Sequence, residues 1–219
     1  MSELFGFRPA GVVFDCDGLL VDTEPSWTVA EAALFAARGL PYGPAEKIRF
    51  IGKSVPDSVA LMAVLFGEPG NSESIQREVL ASVEAVIGAQ AEAMPGAVEL
   101  VGQLAGRLPI AVASNSPRAI VEMSLRRAGL AGSFDAVVAA DEVLRPKPFG
   151  DLYLEACVRL GVAAPASVAF EDTTTGVAAA KAAGMFVVGI PTLDPAGFVA
   201  DLVLESLADE RLREWSRTA

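Results

Sequence analysis

The sequence predicts an α/β fold, in which a parallel sheet is covered by helices on both faces and interrupted once by a helical insert. Short apolar runs of strand length alternate with amphipathic helical patterns through most of the chain. The runs are apolar almost throughout, as expected for parallel strands that are buried on both faces. The alternation fails in a single long interval between the first two strands, where the pattern is helical only.

The predicted strands lie at 11–14, 110–113, 136–139, 167–170 and 186–190, with a weaker sixth at 202–204. Helical patterns separate most of them, and the clearest are at 121–128, 153–160 and 177–183. A glycine follows each of these three patterns, which is typical of a helix C-terminus. Strands and helices in this order indicate parallel strand pairs joined by helical crossovers.

The interval between the first two strands predicts a helical insert at residues 23–94, within a core formed by residues 1–22 and 95–219. Helical patterns at 27–38 and 55–66 each end at a glycine, and apolar residues at 75–87 trace one long amphipathic face. No convincing strand is predicted there. Inserts at the strand ends of α/β cores commonly act as lids, so we expect a mobile cap.

Composition excludes several classes of function. The net charge of −11 argues against nucleic-acid binding, which depends on a basic surface. It also means that a phosphate site has to be created locally. The chain has no histidine, which excludes Ser-His-Asp chemistry and histidine-ligated zinc. Acid–base chemistry therefore falls to carboxylates, lysine or tyrosine.

The chain carries no recognisable targeting signal. No apolar run reaches the roughly 18 residues that span a bilayer, and the N-terminal residues lack a signal-peptide pattern. The two cysteines, Cys16 and Cys157, are too few for a disulfide framework. We expect a cytoplasmic protein that binds neither membrane nor nucleic acid. No feature determines the oligomeric state, and a monomer is the simplest expectation.

Polar residues follow four of the predicted strands in turn. They are Asp15 and Asp17, Ser114 and Asn115, Lys147, and Glu171 and Asp172. Because ligands bind beyond the carboxyl ends of strands in open parallel sheets, we expect these groups to converge. Each of these four sets alone has an ordinary explanation as a loop residue, a solvated turn or a helix cap. The ordered set of four predicts one site.

The chemistry of the predicted site is that of a metal and a phosphoryl group. Asp15, Asp17 and Asp172 offer the oxygen ligands that Mg²⁺ prefers. A cation also explains why a buried strand leads directly into two carboxylates, since like charges repel and burial raises the cost of each. A hydroxyl, an amide and a lysine beside that metal suit phosphoryl oxygens, so the expected ligand is a small phosphorylated metabolite.

These residues resemble the motifs of the haloacid dehalogenase superfamily. The stretch DCDGLLVDTE is similar to its first motif, and Ser114-Asn115 and Lys147 are similar to its second and third. Glu171-Asp172 with Gly176 resembles its fourth motif, and the helical insert resembles its C1-type cap. The resemblance covers nearly the whole chain and implies a Rossmann-like core. It is greatest to the β-phosphoglucomutase-like and sugar-phosphate phosphatase branch.

The resemblance implies a role for each acidic residue. Asp15 would be the nucleophile that forms an aspartyl-phosphate. Asp17 would protonate the leaving oxygen and then deprotonate the attacking water. Mg²⁺ would be bound by Asp15, the backbone carbonyl of Asp17, and Asp172, with Glu171 nearby or acting through water. Asp17 also argues against dehalogenation, because loss of a halide needs no general acid.

The same resemblance assigns the phosphate contacts and one substrate contact. Ser114 and Lys147 would hold the phosphoryl oxygens with help from Asn115. Lys53 in the insert is a candidate substrate contact, although a solvated surface charge is an equally simple explanation. For two other insert residues, Trp27 and Met62, packing in the apolar core is the better interpretation. For Arg49 the simplest interpretation is a solvated helix charge.

The predicted function is Mg²⁺-dependent hydrolysis of a sugar or polyol phosphate, and two alternatives stay open. A sugar-phosphate mutase would use the same core. Related mutases, however, carry a histidine near the position of Trp27 and an arginine at the position of Val55. The second alternative is a protein that binds phosphate without turnover. It conflicts with the intact set of acidic and basic motif residues.

Overall fold

The computed structural model describes residues 6–192 and 198–219 of the chain. The strands are β1 (Val12–Phe14), β2 (Val21–Asp22), β3 (Glu92–Ala93), β4 (Ile110–Ser114), β5 (Ala136–Ala139), β6 (Val168–Glu171), β7 (Phe186–Gly189) and β8 (Leu202–Val203). The α-helices are α1 (Glu24–Ala37), α2 (Pro44–Lys47), α3 (Val55–Leu65), α4 (Ser72–Gln90), α5 (Ala97–Leu104), α6 (Arg118–Arg127), α7 (Asp151–Leu160), α8 (Thr174–Ala182) and α9 (Glu210–Ser216).

The main sheet is parallel, and its strand order is β5-β4-β1-β6-β7-β8. Val12 of β1 lies opposite Ile110 of β4 on one side and Val168 of β6 on the other. The fold class predicted from the sequence is confirmed, and all six predicted strands occur close to their predicted bounds. The strands that follow β1 lie on both sides of it in the sheet, with β4 and β5 on one side and β6, β7 and β8 on the other. The carboxyl ends of β4, β1 and β6 therefore form adjoining edges of one crevice, where ligands of such sheets bind.

Alternation along β1 divides the core into two layers. Val12 and Phe14 belong to one buried cluster, whereas Val13 between them belongs to the other. The Val13 cluster contains the buried faces of α7 and α8, and the first contains those of α5, α6 and α9. Side chains of successive strand residues point to opposite faces, so a three-residue strand is enough to anchor both layers.

The helical segment between β2 and β3, α1 to α4, makes contacts both within itself and with the core. Helix α4 packs against both α1 and α3, and it also contacts α6 of the core. Helix α1 begins at Glu24, three residues earlier than predicted, because Pro25 suits the first turn of a helix. Helix α3 begins after Ser54, whose hydroxyl accepts the Asp57 N–H at 3.3 Å.

The expectation that no strand lies between the first two predicted strands was wrong in one detail. β2 and β3 form an antiparallel pair at the base of the helical segment, with Val21 opposite Ala93 and Asp22 opposite Glu92. Two residues give no measurable alternation, so sequence patterns cannot reveal such strands. The pair lies where the chain leaves the core for the helical segment and where it returns. Within the described ranges, the helices are too short or too polar to cross a membrane.

Candidate active site

The first two site residues lie where β1 ends. Asp15 is 6% exposed, and its N–H donates to the Phe170 carbonyl at 3.0 Å, continuing the pairing of β1 with β6. One Asp15 oxygen, Oδ1, accepts a short hydrogen bond from the Lys147 ammonium. The structure thus brings together the predicted residues of the first and third motifs, which are 132 positions apart.

Lys147 is held between two carboxylates. Its Nζ also donates to Glu171 Oε1 at 2.5 Å, and the lysine is only 4% exposed. The Tyr153 hydroxyl of α7 donates to the same Glu171 oxygen. Glu171 Oε2 accepts from the Asp172 N–H at 3.1 Å, so both of its oxygens are occupied. Sequence reasoning missed Tyr153, although this tyrosine begins the helical pattern predicted at 153–160 and a buried hydroxyl needs a partner.

The electrostatics of this cluster are dominated by burial. Burial raises the pKa of Asp15 to about 8, against the opposing effect of Lys147. Burial, together with the neighbouring Asp15 and Glu171, raises the pKa of Asp172 well above its ordinary value. Burial alone would lower the pKa of Lys147, but the charges of Asp15 and Glu171 outweigh it and raise that pKa. Three carboxylates thus face a single cation, which leaves an excess of negative charge.

This excess fits a divalent cation. Asp15, Glu171 and Asp172 each offer one oxygen, and these oxygens all lie within 4.8 Å of one another. Asp172 Oδ1 is buried and has no hydrogen-bond partner among the described residues. Gly18, with φ of +83°, comes so close that an added Cβ would lie 2.5 Å from Asp172 Oδ2. Oxygen donors and an unsatisfied buried carboxylate are the properties expected of a Mg²⁺ site.

Three hydroxyl groups hold the Asp17 carboxylate. Thr23 donates to Oδ1 at 2.7 Å, while Ser114 and Ser116 donate to Oδ2 at 3.0 and 2.8 Å. Sequence reasoning missed Ser116, although it lies only two residues after Ser114 in the loop that follows the same strand. The Thr23 hydroxyl contacts Asp17 instead of capping α1, so the start of the helical segment is tied to the core.

The predicted phosphate contact Asn115 has its side-chain amide fully engaged. Its Oδ1 accepts the Lys147 N–H at 2.8 Å, and its Nδ2 donates to the Lys147 carbonyl at 3.3 Å. Nδ2 also lies 3.3 Å from the carbonyl of Gly52, just before α3. One side chain thus connects the loop after β4, the loop that carries Lys147, and the helical segment.

A glycine in the first turn of α8 makes room for the Glu171 carboxylate. A Cβ at Gly176 would overlap that carboxylate group, so any other residue at this position would displace it. The Gly176 N–H donates to the Thr173 hydroxyl at 3.1 Å, which caps the helix. This close approach gives a structural reason for the glycine of the fourth sequence motif.

A cleft of about 710 Å³, counting the part open to solvent, lies between the sheet edge and the helical segment. From the core it is lined by Asp15, Asp17, Asn115, Ser116, Lys147 and Thr173. From the helical segment it is lined by Glu24, Trp27, Glu31, Lys47, Phe50, Ile51, Gly52, Lys53, Val55 and Ser58.

Some residues of the helical wall of the cleft were singled out from the sequence, and others were missed. Lys53 lies on the wall and is exposed. Trp27, for which packing in the core was predicted, is half-buried: it packs against the apolar core and also lines the cleft. Met62 is buried in the core as expected. Glu31 and Lys47 were missed. The positions of Glu24, Trp27 and Glu31, three and four residues apart, were the available signal, because such residues share one helix face.

Comparisons with known proteins agree with the geometry. The model of a family described as haloacid dehalogenase-like hydrolase matches residues 12–190. The chain is 36% identical to fructose-1-phosphate phosphatase YqaB of Escherichia coli, over 85% of this chain and 98% of that protein. It is 30% identical to hexitol phosphatase B of Escherichia coli, over 90% and 92% of the two chains.

A solved structure is similar as well. CbbY from Rhodobacter sphaeroides, in complex with phosphate, is 27% identical to this chain, with a TM-score of 0.79. The match covers 92% of this chain and 96% of the other. The similarity in sequence and in structure therefore extends over both the sheet and the helical segment.

Proposed function

This chain belongs to the haloacid dehalogenase-like hydrolases and is a phosphatase of that family, and we propose that it hydrolyses the phosphate monoester of a small sugar or polyol with Mg²⁺ as cofactor. The observation that carries the proposal is the buried Lys147 ammonium between Asp15 and Glu171, at the bottom of a cleft. The names of two relatives, a fructose-1-phosphate phosphatase and a hexitol phosphatase, support the substrate class.

In the proposed mechanism the phosphoryl group passes through Asp15. A carboxylate oxygen of Asp15 attacks phosphorus, and the bond to the substrate oxygen breaks as Asp17 gives that oxygen its proton. Asp17 then takes a proton from water, which attacks the aspartyl-phosphate. Inorganic phosphate leaves and the Asp15 carboxylate is regenerated. The three hydroxyls around Asp17 orient its carboxylate for both proton transfers.

Positive charge allows a carboxylate to attack an anion. Lys147 is kept cationic by its two carboxylate partners, and we assign it to the phosphoryl oxygens. The predicted phosphate contact Ser114 donates its single hydroxyl proton to Asp17, so we assign Ser114 to orienting that carboxylate. The Asp15 and Asp172 carboxylates and the backbone carbonyl of Asp17 would hold Mg²⁺, which supplies positive charge to the phosphoryl group when bound. We propose that Glu171, whose oxygens already accept several hydrogen bonds, reaches the metal only through water and chiefly holds Lys147.

Asn115 and the helical segment have supporting roles in the proposed reaction. Asn115 acts through Lys147, because its amide is bonded to both backbone groups of that residue. Residues 23–94 act as the cap, whose wall completes the cleft above Asp15. A sugar-phosphate mutase would share every core residue and would differ in passing the phosphoryl group to a second sugar hydroxyl instead of water.

The experiment measures inorganic phosphate release from a panel of sugar, polyol and nucleoside monophosphates, first with Mg²⁺ and then with excess chelator. We expect release from sugar or polyol phosphates that the chelator abolishes. Isomerisation of β-glucose 1-phosphate without phosphate release, once a bisphosphate primer is added, would establish a mutase. Binding of phosphate with no turnover of any compound would establish a non-catalytic protein.

Substitution of the nucleophile tests the mechanism separately. We expect Asp15→Asn to lower the turnover number by more than about 10³-fold while the circular dichroism spectrum is unchanged, because an amide cannot form the covalent intermediate. Glu84→Gln, an exposed change on α4, is the matched control and should behave like the wild type. Turnover within tenfold of the wild type in Asp15→Asn would remove Asp15 as the nucleophile.

A further inference from the structure

One face of α1 places the carboxylate of Glu31 in the lining of the cleft. Glu24, Trp27 and Glu31 share that face and all line the cleft. Glu31 is only 6% exposed, so most of the residue is removed from water. The core motifs do not account for this residue, because it lies on the helical segment and contacts none of them.

The neighbours of Glu31 leave one of its oxygens available. The Tyr42 hydroxyl donates to Oε2, whereas Oε1 accepts no hydrogen bond from any residue in 6–192 or 198–219. The nearby cation Lys47 is paired with Glu24, at 3.2 Å. Burial raises the pKa of Glu31 to about 7, although the Tyr42 hydrogen bond and the charge of Lys47 oppose it and Glu24 adds to it. Among the described residues, the buried side-chain oxygens without a partner are Ser26 Oγ and Asp172 Oδ1, so Glu31 Oε1 is not fully buried. It is therefore open to a donor group of an occupant of the cleft.

The position of Glu31 places it away from the phosphoryl site. Thr23 anchors the start of α1 to Asp17, and Glu31 comes eight residues later, about 12 Å along the helix axis. Trp27 lies between the two on the same face and offers an apolar surface. A substrate that reaches from Asp15 to Glu31 therefore extends well beyond its phosphate group, along the indole ring.

We propose that Glu31, held by Tyr42, is the specificity-determining residue of the cleft, where it accepts hydrogen bonds from hydroxyl groups at the end of the substrate remote from the phosphate. The inference rests on the proposed phosphatase function. The substrate is then a monophosphate of a neutral polyhydroxy compound. A second phosphate or a carboxylate at the remote end would lie against Glu31 and Glu24, and Lys47, the cation that acts on Glu31, is already paired with Glu24.

The test compares two substrates with the same carbon skeleton, fructose 1-phosphate and fructose 1,6-bisphosphate, in the presence of Mg²⁺. We expect the wild type to favour the monophosphate in kcat/KM by at least about tenfold, the value of one hydrogen bond to a charged group. Glu31→Gln should reduce this preference to below about threefold, through a higher KM for the monophosphate. Tyr42→Phe should reduce it in the same direction, since it frees the Glu31 side chain.

The matched control is Glu84→Gln, the same substitution at an exposed position of the helical segment, which should retain the wild-type preference. Equal kcat/KM for the two substrates in the wild type would overturn the inference and leave the phosphatase function standing. So would an unchanged preference in folded Glu31→Gln, and Lys53 on the same wall would then be the residue to vary. No phosphate release from any monoester would overturn both proposals.

Discussion

The close approach at Gly176 shows how one missing atom determines the position of a charged group. The Glu171 carboxylate occupies the volume that a Cβ at residue 176 would fill. From that position Glu171 holds the Lys147 ammonium and the Tyr153 hydroxyl. The glycine therefore acts on the chemistry indirectly, by allowing a buried carboxylate to stay beside the lysine that we assign to the phosphoryl group.

We expect Gly176→Ala to lower kcat/KM by about 100-fold and to destabilise the fold by about 1–3 kcal/mol, because the new methyl group displaces Glu171 from Lys147. Enzyme kinetics and urea unfolding measure the two effects. Gly102→Ala on α5 is the control, since a Cβ there meets nothing within 4 Å. It should keep full activity and gain up to about 1 kcal/mol of stability. Full activity of Gly176→Ala would contradict the assignment of Glu171 and Lys147.

The buried carboxylate of Glu31 makes folding stability depend on pH. Its pKa rises from 4.5 to about 7 on folding, chiefly through burial. The folded protein thus binds this proton more tightly than the unfolded chain. The contribution to stability is fully present below pH 4.5 and is lost as the pH rises through 7. A residue that destabilises the protein at neutral pH is consistent with a role in substrate binding.

We expect Glu31→Gln to increase the free energy of unfolding at pH 8 by on the order of 2 kcal/mol and to leave it nearly unchanged at pH 4, where Glu31 is protonated in both states. Urea denaturation at a series of pH values measures this difference. Glu84→Gln should show no such pH-dependent gain. A Glu31→Gln variant that is less stable than the wild type at pH 8 would indicate that the ionised carboxylate has a stabilising partner.

At the scale of secondary-structure elements, the side chain of Asn115 joins three connecting segments. It follows β4, bonds both backbone groups of Lys147, and contacts the Gly52 carbonyl before α3. These segments are far apart in sequence and have no regular structure at the point of contact. A single amide therefore couples the position of Lys147 to that of the helical segment.

We expect Asn115→Ala to reduce kcat/KM about tenfold and to destabilise the protein by about 1–2 kcal/mol, because it leaves the Lys147 and Gly52 backbone groups without these bonds. Hydrogen exchange should also become faster in residues 48–54. Asn71→Ala is the control, since that asparagine is exposed and its amide contacts only Glu68 within the helical segment. Unchanged exchange in 48–54 would show that Asn115 does not couple the two parts.

At the scale of the whole molecule, the distribution of charge does not favour the binding of an anionic substrate. The chain carries a net charge of −11, and the site itself buries three carboxylates around one lysine. Neither feature attracts an anionic phosphate at long range. A bound divalent cation would offset the negative charge of the site and link the edges of β1 and β6, so metal binding and fold stability should be coupled.

We expect Mg²⁺ at about 100 times its dissociation constant to stabilise the protein by about 2.7 kcal/mol, which raises Tm by roughly 5–10 °C. Asp172→Asn should abolish most of this increase, because it removes a proposed ligand. Differential scanning calorimetry with and without Mg²⁺ measures the effect, and Glu84→Gln should shift like the wild type. An equal shift in Asp172→Asn would place the metal elsewhere.

The sequence by itself determined the fold class, the six strands of the main sheet and the residues that follow them. The periodicity of apolar residues and the polar residues that follow each strand are local signals, because each can be recognised within a few residues of the sequence. This is why Asp15, Ser114, Lys147 and Asp172 could be selected before their contacts were known. Their assembly in one crevice follows from a general rule of parallel sheets, which needs the strand order only in outline.

Only the tertiary structure decided which groups touch. The bond from Tyr153 to Glu171, the three hydroxyls around Asp17 and the burial of Glu31 depend on distances between segments far apart in the chain. No local pattern encodes these distances. The pair β2–β3 was likewise invisible, because two residues make a strand only through their partner. Side-chain orientation on a helical face is a property of packing, and packing is settled only when the whole chain has folded.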